Sequence, residues 1–127
     1  DPLNLFYTSV DGVLLDKTQT TLVQYPNGKA GTYYTISNSV AKIIGGAFWG
    51  CSSLTSVTIP NSVISIGDDV FHSCSALTNV MIPDSGTNLG EFVFLGCRSL
   101  TDVTIGNGVT RIGEYAFNGC FSLTSVT

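Results

Sequence analysis

Four cysteines are the residues of this chain best suited to chemistry. They are Cys51, Cys74, Cys97 and Cys120, each 23 residues from the next. A zinc site needs close thiol pairs such as C-x2-C, and evenly dispersed cysteines with one histidine do not supply them. Disulfides become possible if the fold stacks the cysteines at about 5 Å, the spacing of adjacent strands, although parallel side chains suit the bridge torsion poorly. A row of buried, unbridged thiols is the third use, and the even spacing favours it. His72 is the single histidine. One period away stand Trp49 and Leu95, then Asn118, so this varied row belongs at the surface. Asp68 and Asp69 could form a carboxylate pair. Their equivalents, Gly45-Gly46, Glu91-Phe92 and Glu114-Tyr115, point instead to a solvated acidic turn or a helix start. No P-loop and no G-x-S-x-G occurs, and no nucleophile has a partner motif. The expectation is a chain with no catalytic residues, no metal, no cofactor and no enzymatic role.

The composition indicates what must carry such residues. The 127 residues make one domain's worth of chain, 43% hydrophobic and only 11% charged, against about 25% charged in an ordinary globular protein. Fifteen threonines and 14 serines take the place of ions as water-facing groups. The net charge is -4, and the five basic residues, Lys17, Lys29, Lys42, Arg98 and Arg111, are scattered. That distribution excludes a nucleic-acid or anionic-membrane surface. No apolar run approaches the roughly 18–20 residues that span a bilayer. The start at Asp1-Pro2, without Met or signal peptide, suggests a piece of a longer chain.

The cysteine step is shared by other rows. Phe48, Phe71, Phe94 and Phe117 keep it, as do Leu54, Leu77, Leu100 and Leu123, and Val57, Val80, Val103 and Val126. Ile36, Ile59, Ile82 and Ile105 follow, with Gly67, Gly90 and Gly113 as turn residues. Four units result: 37–59, 60–82, 83–105 and 106–127. A period of 23 falls in the leucine-rich-repeat window, and Leu54-Thr55-Ser56-Val57-Thr58-Ile59 has the L-x-x-L-x-L spacing. Within it, apolar and polar residues alternate as in a half-buried strand. After a Pro-Asn-Ser turn come Val63 and Ile66, then a segment at Asp68–Phe71 long enough for one helical or 3₁₀ turn.

The wording Ile112-Gly113-Glu114-Tyr115-Ala116-Phe117-Asn118-Gly119-Cys120-Phe121-Ser122-Leu123-Thr124 resembles the BspA-like, or Treponema pallidum-type, leucine-rich repeats. The resemblance covers about residues 36–127. It departs at Ile44, where later units have glycine, at Gly86, where an apolar residue is missing and a hole or kink is expected, and at Gly106, where the middle units have proline. It implies a mostly β, right-handed leucine-rich-repeat solenoid of 23-residue units with short 3₁₀ or helical turns. It also implies a repeat domain of a secreted or surface protein, extracellular or on the cell surface, that binds protein or matrix partners in an adhesion role.

Residues 1–35 fit the step poorly. Asp11-Gly12 between apolar residues marks a two-residue hairpin. A small antiparallel meander at about 4–10, 13–16 and 20–25 is expected, forming a cap over 1–35 ahead of a solenoid at 36–127, together one compact domain. Physically, the meander would cover the first core face of the stack. Binding is the remaining function, and two surfaces could serve it. One is the outward face of the main strands: Tyr33, Ser56, Asn79, Asp102 and Ser125 in one row, with Thr35, Thr58, Met81, Thr104 and Thr127 in the other. Tyr33 and Met81 are its only large groups. The other lies on the phenylalanine turns, where Trp49, His72 and Leu95 form one row and Phe92 and Tyr115 another; Trp49 could instead tuck against the meander. A small hydrophobic or glycan ligand would need a concavity near Gly86 or beside the meander, and a featureless surface would mean a passive spacer. The final strand, in an uncharged stretch at 121–127, presents an edge expected to self-associate weakly.

Overall fold

The computed structural model describes residues 3–85 and 88–127. The irregularity expected at Gly86 lies outside them. Twelve strands and no helix occur among the described residues: β1 (Tyr7–Val10), β2 (Val13–Asp16), β3 (Thr21–Gln24), β4 (Tyr33–Thr35), β5 (Lys42–Ile43), β6 (Ser56–Thr58), β7 (Ser65–Ile66), β8 (Asn79–Ile82), β9 (Asn88–Leu89), β10 (Asp102–Ile105), β11 (Arg111–Ile112) and β12 (Ser125–Val126). They form two sheets. One has the order β12-β10-β8-β6-β4 and the other β1-β2-β3-β5-β7-β9-β11. Successive rungs add one strand to each sheet in parallel, as a solenoid requires, with residues 23 apart in register: Tyr33 beside Ser56, Asn79 beside Asp102, Asp102 beside Ser125.

The repeated apolar rows fill the space between the sheets. Phe48, Phe71 and Phe94 are fully buried, as are Cys74, Cys97, Leu54, Leu77 and Leu100. The Phe rings stack along the axis at 5.1 Å for Phe48 and Phe71 and 5.5 Å for Phe71 and Phe94. The corresponding residues of the last rung, Phe117, Cys120 and Leu123, are half-buried. No polar or charged residue is among the buried side chains described. A core without ions leaves the backbone as the group whose hydrogen bonds must be met.

The turns meet that demand by alternation. In the turn at 68–73, the N–H groups of Asp69, Phe71 and Ser73 donate to Glu91, Val93 and Leu95 of the next rung, while His72 N–H donates back to Asp69 O at 3.1 Å. Half the donors are spent between rungs, so no continuous helical or 3₁₀ turn forms. The path bends through two left-handed residues per rung. One row is Gly46, Asp69, Phe92 and Tyr115, with φ of 72°, 58°, 57° and 54°.

Gly67, Gly90 and Gly113 serve a different purpose from the turn role read in the sequence. None has a positive φ. A Cβ on Gly90 would lie 2.5 Å from the carbonyl carbon of Gly67, and one on Gly113 would lie 2.4 Å from that of Gly90. These glycines let one rung settle against the one before. Side chains also bond from rung to rung: Thr55, Thr78, Thr101 and Thr124 each donate a hydroxyl to the carbonyl of the threonine 23 residues earlier, at 2.9–3.1 Å.

The meander forms as expected, with Asp11 and Gly12 both at positive φ between antiparallel β1 and β2. Its relation to the solenoid differs. β3 pairs in parallel with β5 and so prolongs the seven-stranded sheet, leaving β4 as the edge of the other. Val13, Leu15 and Leu22 join the common core. The 23-step also reaches further back than expected, because Tyr25 occupies the phenylalanine row and stacks on Phe48 at 5.2 Å.

Candidate interaction surface

The cysteines take the structural course. All four are free thiols. Each Sγ donates to the carbonyl of the aromatic residue 26 positions earlier: Cys74 to Phe48 O and Cys97 to Phe71 O at 3.0 Å, Cys120 to Phe94 O at 3.1 Å, and Cys51 to Tyr25 O at a longer 3.8 Å. The thiol thus ties adjacent rungs as a weak donor. Burial pushes Cys97 up to about 12. The neighbouring Cys51 side chain, then burial, push Cys74 up as well. Such thiols stay protonated and unreactive at neutral pH. Among the described residues, no three His, Cys, Asp or Glu side chains converge closely enough to hold a metal ion. Asp68 and Asp69 do not act as a pair. Asp68 Oδ1 accepts from the N–H of Glu91 at 2.8 Å, and Asp69 Oδ1 accepts from His72 Nδ1 at 2.8 Å.

The two binding rows read from the sequence occupy different sides of the rung. On the five-stranded sheet, Tyr33, Asn79, Met81 and Asp102 all face solvent; Tyr33 is 76% and Met81 66% exposed. Asn79 and Asp102 are neighbours across two paired strands, while the two large groups, Tyr33 and Met81, are separated by β6 with its small polar Ser56 and Thr58. On the turn side, aromatic residues come together. Trp49 stacks on His72 with centroids 4.2 Å apart and planes 16° apart, and stays half-exposed rather than covered by the meander. Phe92 stacks on Tyr115 at 5.5 Å and 3°. Leu95 is half-buried on the same turns.

Two open grooves accompany these faces. One, of about 340 Å³, runs past Asp68, Leu89, Glu91 and Arg111; the other, of about 490 Å³, past Pro60, Met81, Pro83 and Ile105. Neither has an aromatic wall. The threonine ladder keeps the 23-residue period and the Asp68 bond spans it once, but a polar residue in the sequence does not distinguish a rung-to-rung bond from a solvated side chain.

A model of the BspA-type leucine-rich repeat region, in six copies, matches residues 27–127. The chain belongs to the BspA-type leucine-rich repeat family. Its likeness to solved structures is strong. A leucine-rich repeat protein from Eubacterium ventriosum superposes with a TM-score of 0.85 at 26% identity, covering 100% of this chain and 41% of that one. A leucine-rich cell surface protein from Faecalibacterium prausnitzii gives 0.79 at 25%, covering 94% and 38%. A leucine-rich repeat protein from Bacteroides capillosus gives 0.83 at 28%, covering 94% and 96%. This BspA-type chain therefore spans about two fifths of the length of the first two. No curated protein sequence matches it significantly. No helix among the described residues is long and apolar enough to cross a membrane.

Proposed function

We propose that this chain is a protein-interaction module, of adhesion type, in a secreted or surface protein, and that the phenylalanine turns are its binding face. The observation that carries the reading is the aromatic pair at left-handed backbone positions. Phe92 and Tyr115 have φ of 57° and 54°, where Gly46 serves the first rung. A side chain there costs on the order of 1–2 kcal/mol. Stacking at 5.5 Å returns about 0.5–1.5 kcal/mol. Folding alone has little to gain from this substitution for glycine, whereas a rigid, exposed ring is the type of group that anchors a protein partner. A cell surface protein among the similar structures supports the extracellular placement. A small-ligand role has less support, since the grooves lack aromatic walls. A passive spacer has no use for stacked exposed rings.

The test is binding of the purified chain to a panel of immobilised extracellular-matrix proteins. We expect at least one to be retained, and the double variant Trp49→Ala, Tyr115→Ala to lose at least tenfold in affinity. The double variant Tyr33→Ser, Met81→Thr should bind as the parent does. Loss of binding in the sheet-face variant alone would refute the assignment of the face.

A further inference from the structure

The two sheets do not end together. β4 and β5 belong to one rung; beyond it the seven-stranded sheet continues through β3, β2 and β1, whereas β4 pairs with β6 alone. This open edge lies inside the sequence. The chain leading to it, residues 3–32, forms the three strands of the meander and the loop that leads back. Ile36 N–H donates to Thr58 O at 3.1 Å and Thr32 O accepts from Ser56 N–H at 3.2 Å, so Thr32, Tyr34 and Ile36 turn their backbone groups towards β6. By the alternation of a strand, Tyr33 and Thr35 turn theirs the other way. Among the described residues those two N–H and two C=O groups have no partner. Tyr34 carries a second sign of an unfilled place. It stands in the interior row of Val57, Val80 and Val103, which are 5%, 3% and 1% exposed, yet it is only half-buried. Each valine has a strand outside it, and Tyr34 has none.

We infer that β4 is a second interaction site, separate from the turn face, which takes an extended, uncharged segment of a partner protein as an added strand. Alternating donors and acceptors along an edge are matched by another extended backbone, and by little else. Residues 30–41 contain no charge, and Tyr33 beside the edge is 76% exposed. The lysines, prolines and bulges that protect an edge from pairing are therefore missing from β4. The partner's inward side chains are apolar, because they lie against Tyr34 and continue its row; its outward ones are small and polar, as in β6. A second copy of this chain does not suit the place. Symmetric, antiparallel pairing of two β4 edges would put both meanders on one side of the joined sheet. Each reaches three strand spacings past β4, about 14 Å, so they would collide. A single extended segment brings no such overhang.

The experiment titrates the nitrogen-15-labelled chain of 127 residues with acetyl-Leu-Thr-Ser-Val-Thr-Ile-amide, the sequence of residues 54–59. That sequence contains β6, the strand β4 already accepts on its inner side. The amide signals of Tyr33 and Thr35 should shift and their exchange with solvent should slow. So few hydrogen bonds imply a dissociation constant on the order of 0.1–1 mM. Methylating alternate backbone nitrogens of the peptide should split the outcome. The set that faces β4 should bind roughly tenfold more weakly, and the other set as the unmodified peptide does. Thr35→Pro removes an open donor where no bond within the chain is lost, so it should melt close to the parent and bind the peptide several-fold more weakly. If that variant does not fold, the two methylated peptides decide the matter on the parent chain. Equal weakening by both methylated sets, shifts confined to the turns, or no shift at millimolar peptide would each overturn the inference. Self-association of the chain that disappears in Thr35→Pro would make a second copy the occupant and overturn the partner strand. The turn face takes no part in these readouts, so its assignment stands or falls separately.

Discussion

Replacing Gly90 by alanine separates two accounts of the same residue. If Gly90 is present for turn flexibility, an added methyl should cost little, because its φ is not positive. If it is present because rungs touch, the methyl has nowhere to go. Its Cβ would lie 2.5 Å from the carbonyl carbon of Gly67, 2.5 Å from Asp68 Oδ1 and 2.6 Å from the Asp68 backbone nitrogen. Two of these three are main chain and can move only by lifting the rung. Overpacking of this kind costs about 1–3 kcal/mol, and the backbone contacts place Gly90→Ala at or above the upper end. The same methyl at Gly28 meets nothing within 4 Å and requires no positive φ. Gly28→Ala should therefore stabilise by about 0.4–1 kcal/mol through the unfolded chain alone. Both variants remove the same freedom from the unfolded state, so their difference reports the rung contact. Urea denaturation followed by circular dichroism measures it. A difference below about 1 kcal/mol would refute close rung packing as the reason for the glycine row.

Four further outcomes follow from the same contacts. Phe71→Ala, at a fully buried ring stacked on both sides, should cost about 3–5 kcal/mol by denaturation. The thiols of Cys74 and Cys97 should resist a disulfide reagent at pH 8 in the native chain and react at once in urea. Because burial raises the Cys97 thiol from 9.0 to about 12, the native state holds its proton longer than the unfolded chain; stability from this group is full below about pH 9 and declines as pH rises towards 12, seen as a falling melting temperature. Light scattering should detect weak self-association at high concentration, since β12 is the edge of its sheet and carries the half-exposed Val126.

The rows that bury large apolar groups were legible in the sequence, because each rung must supply the same side chain to the same slot. Phe71, Cys74 and Leu77 are fully buried as their spacing required. The second sheet was not legible. Its solenoid strands β5, β7, β9 and β11 are two residues long, too short to show alternation. Tyr25 keeps the 23-residue step to Phe48, but the strand before it does not, since Leu22 pairs with Ile43 only 21 residues on, so Tyr25 stands without matching neighbours in the sequence. The glycine row was visible, and its cause was not, since a close approach between rungs and a turn both select the same residue. On the proposed binding face, the shared row of Trp49 and His72 was readable, whereas their tilt and the left-handed backbone beneath Phe92 and Tyr115 depend on how the rungs bond to one another.

The most direct test of the interaction face is a hydrogen-exchange footprint of the chain saturated with a matrix protein retained from the binding panel. The backbone amides of the first three turns donate to the next rung at the edge of the stack, so a partner bound over the turns should slow their exchange where it sits. Slowed exchange confined to residues 45–50, 68–73, 91–96 and 114–119 is the predicted result. Slowed exchange on β4, β6, β8 and β10, with the turns unchanged, would contradict it.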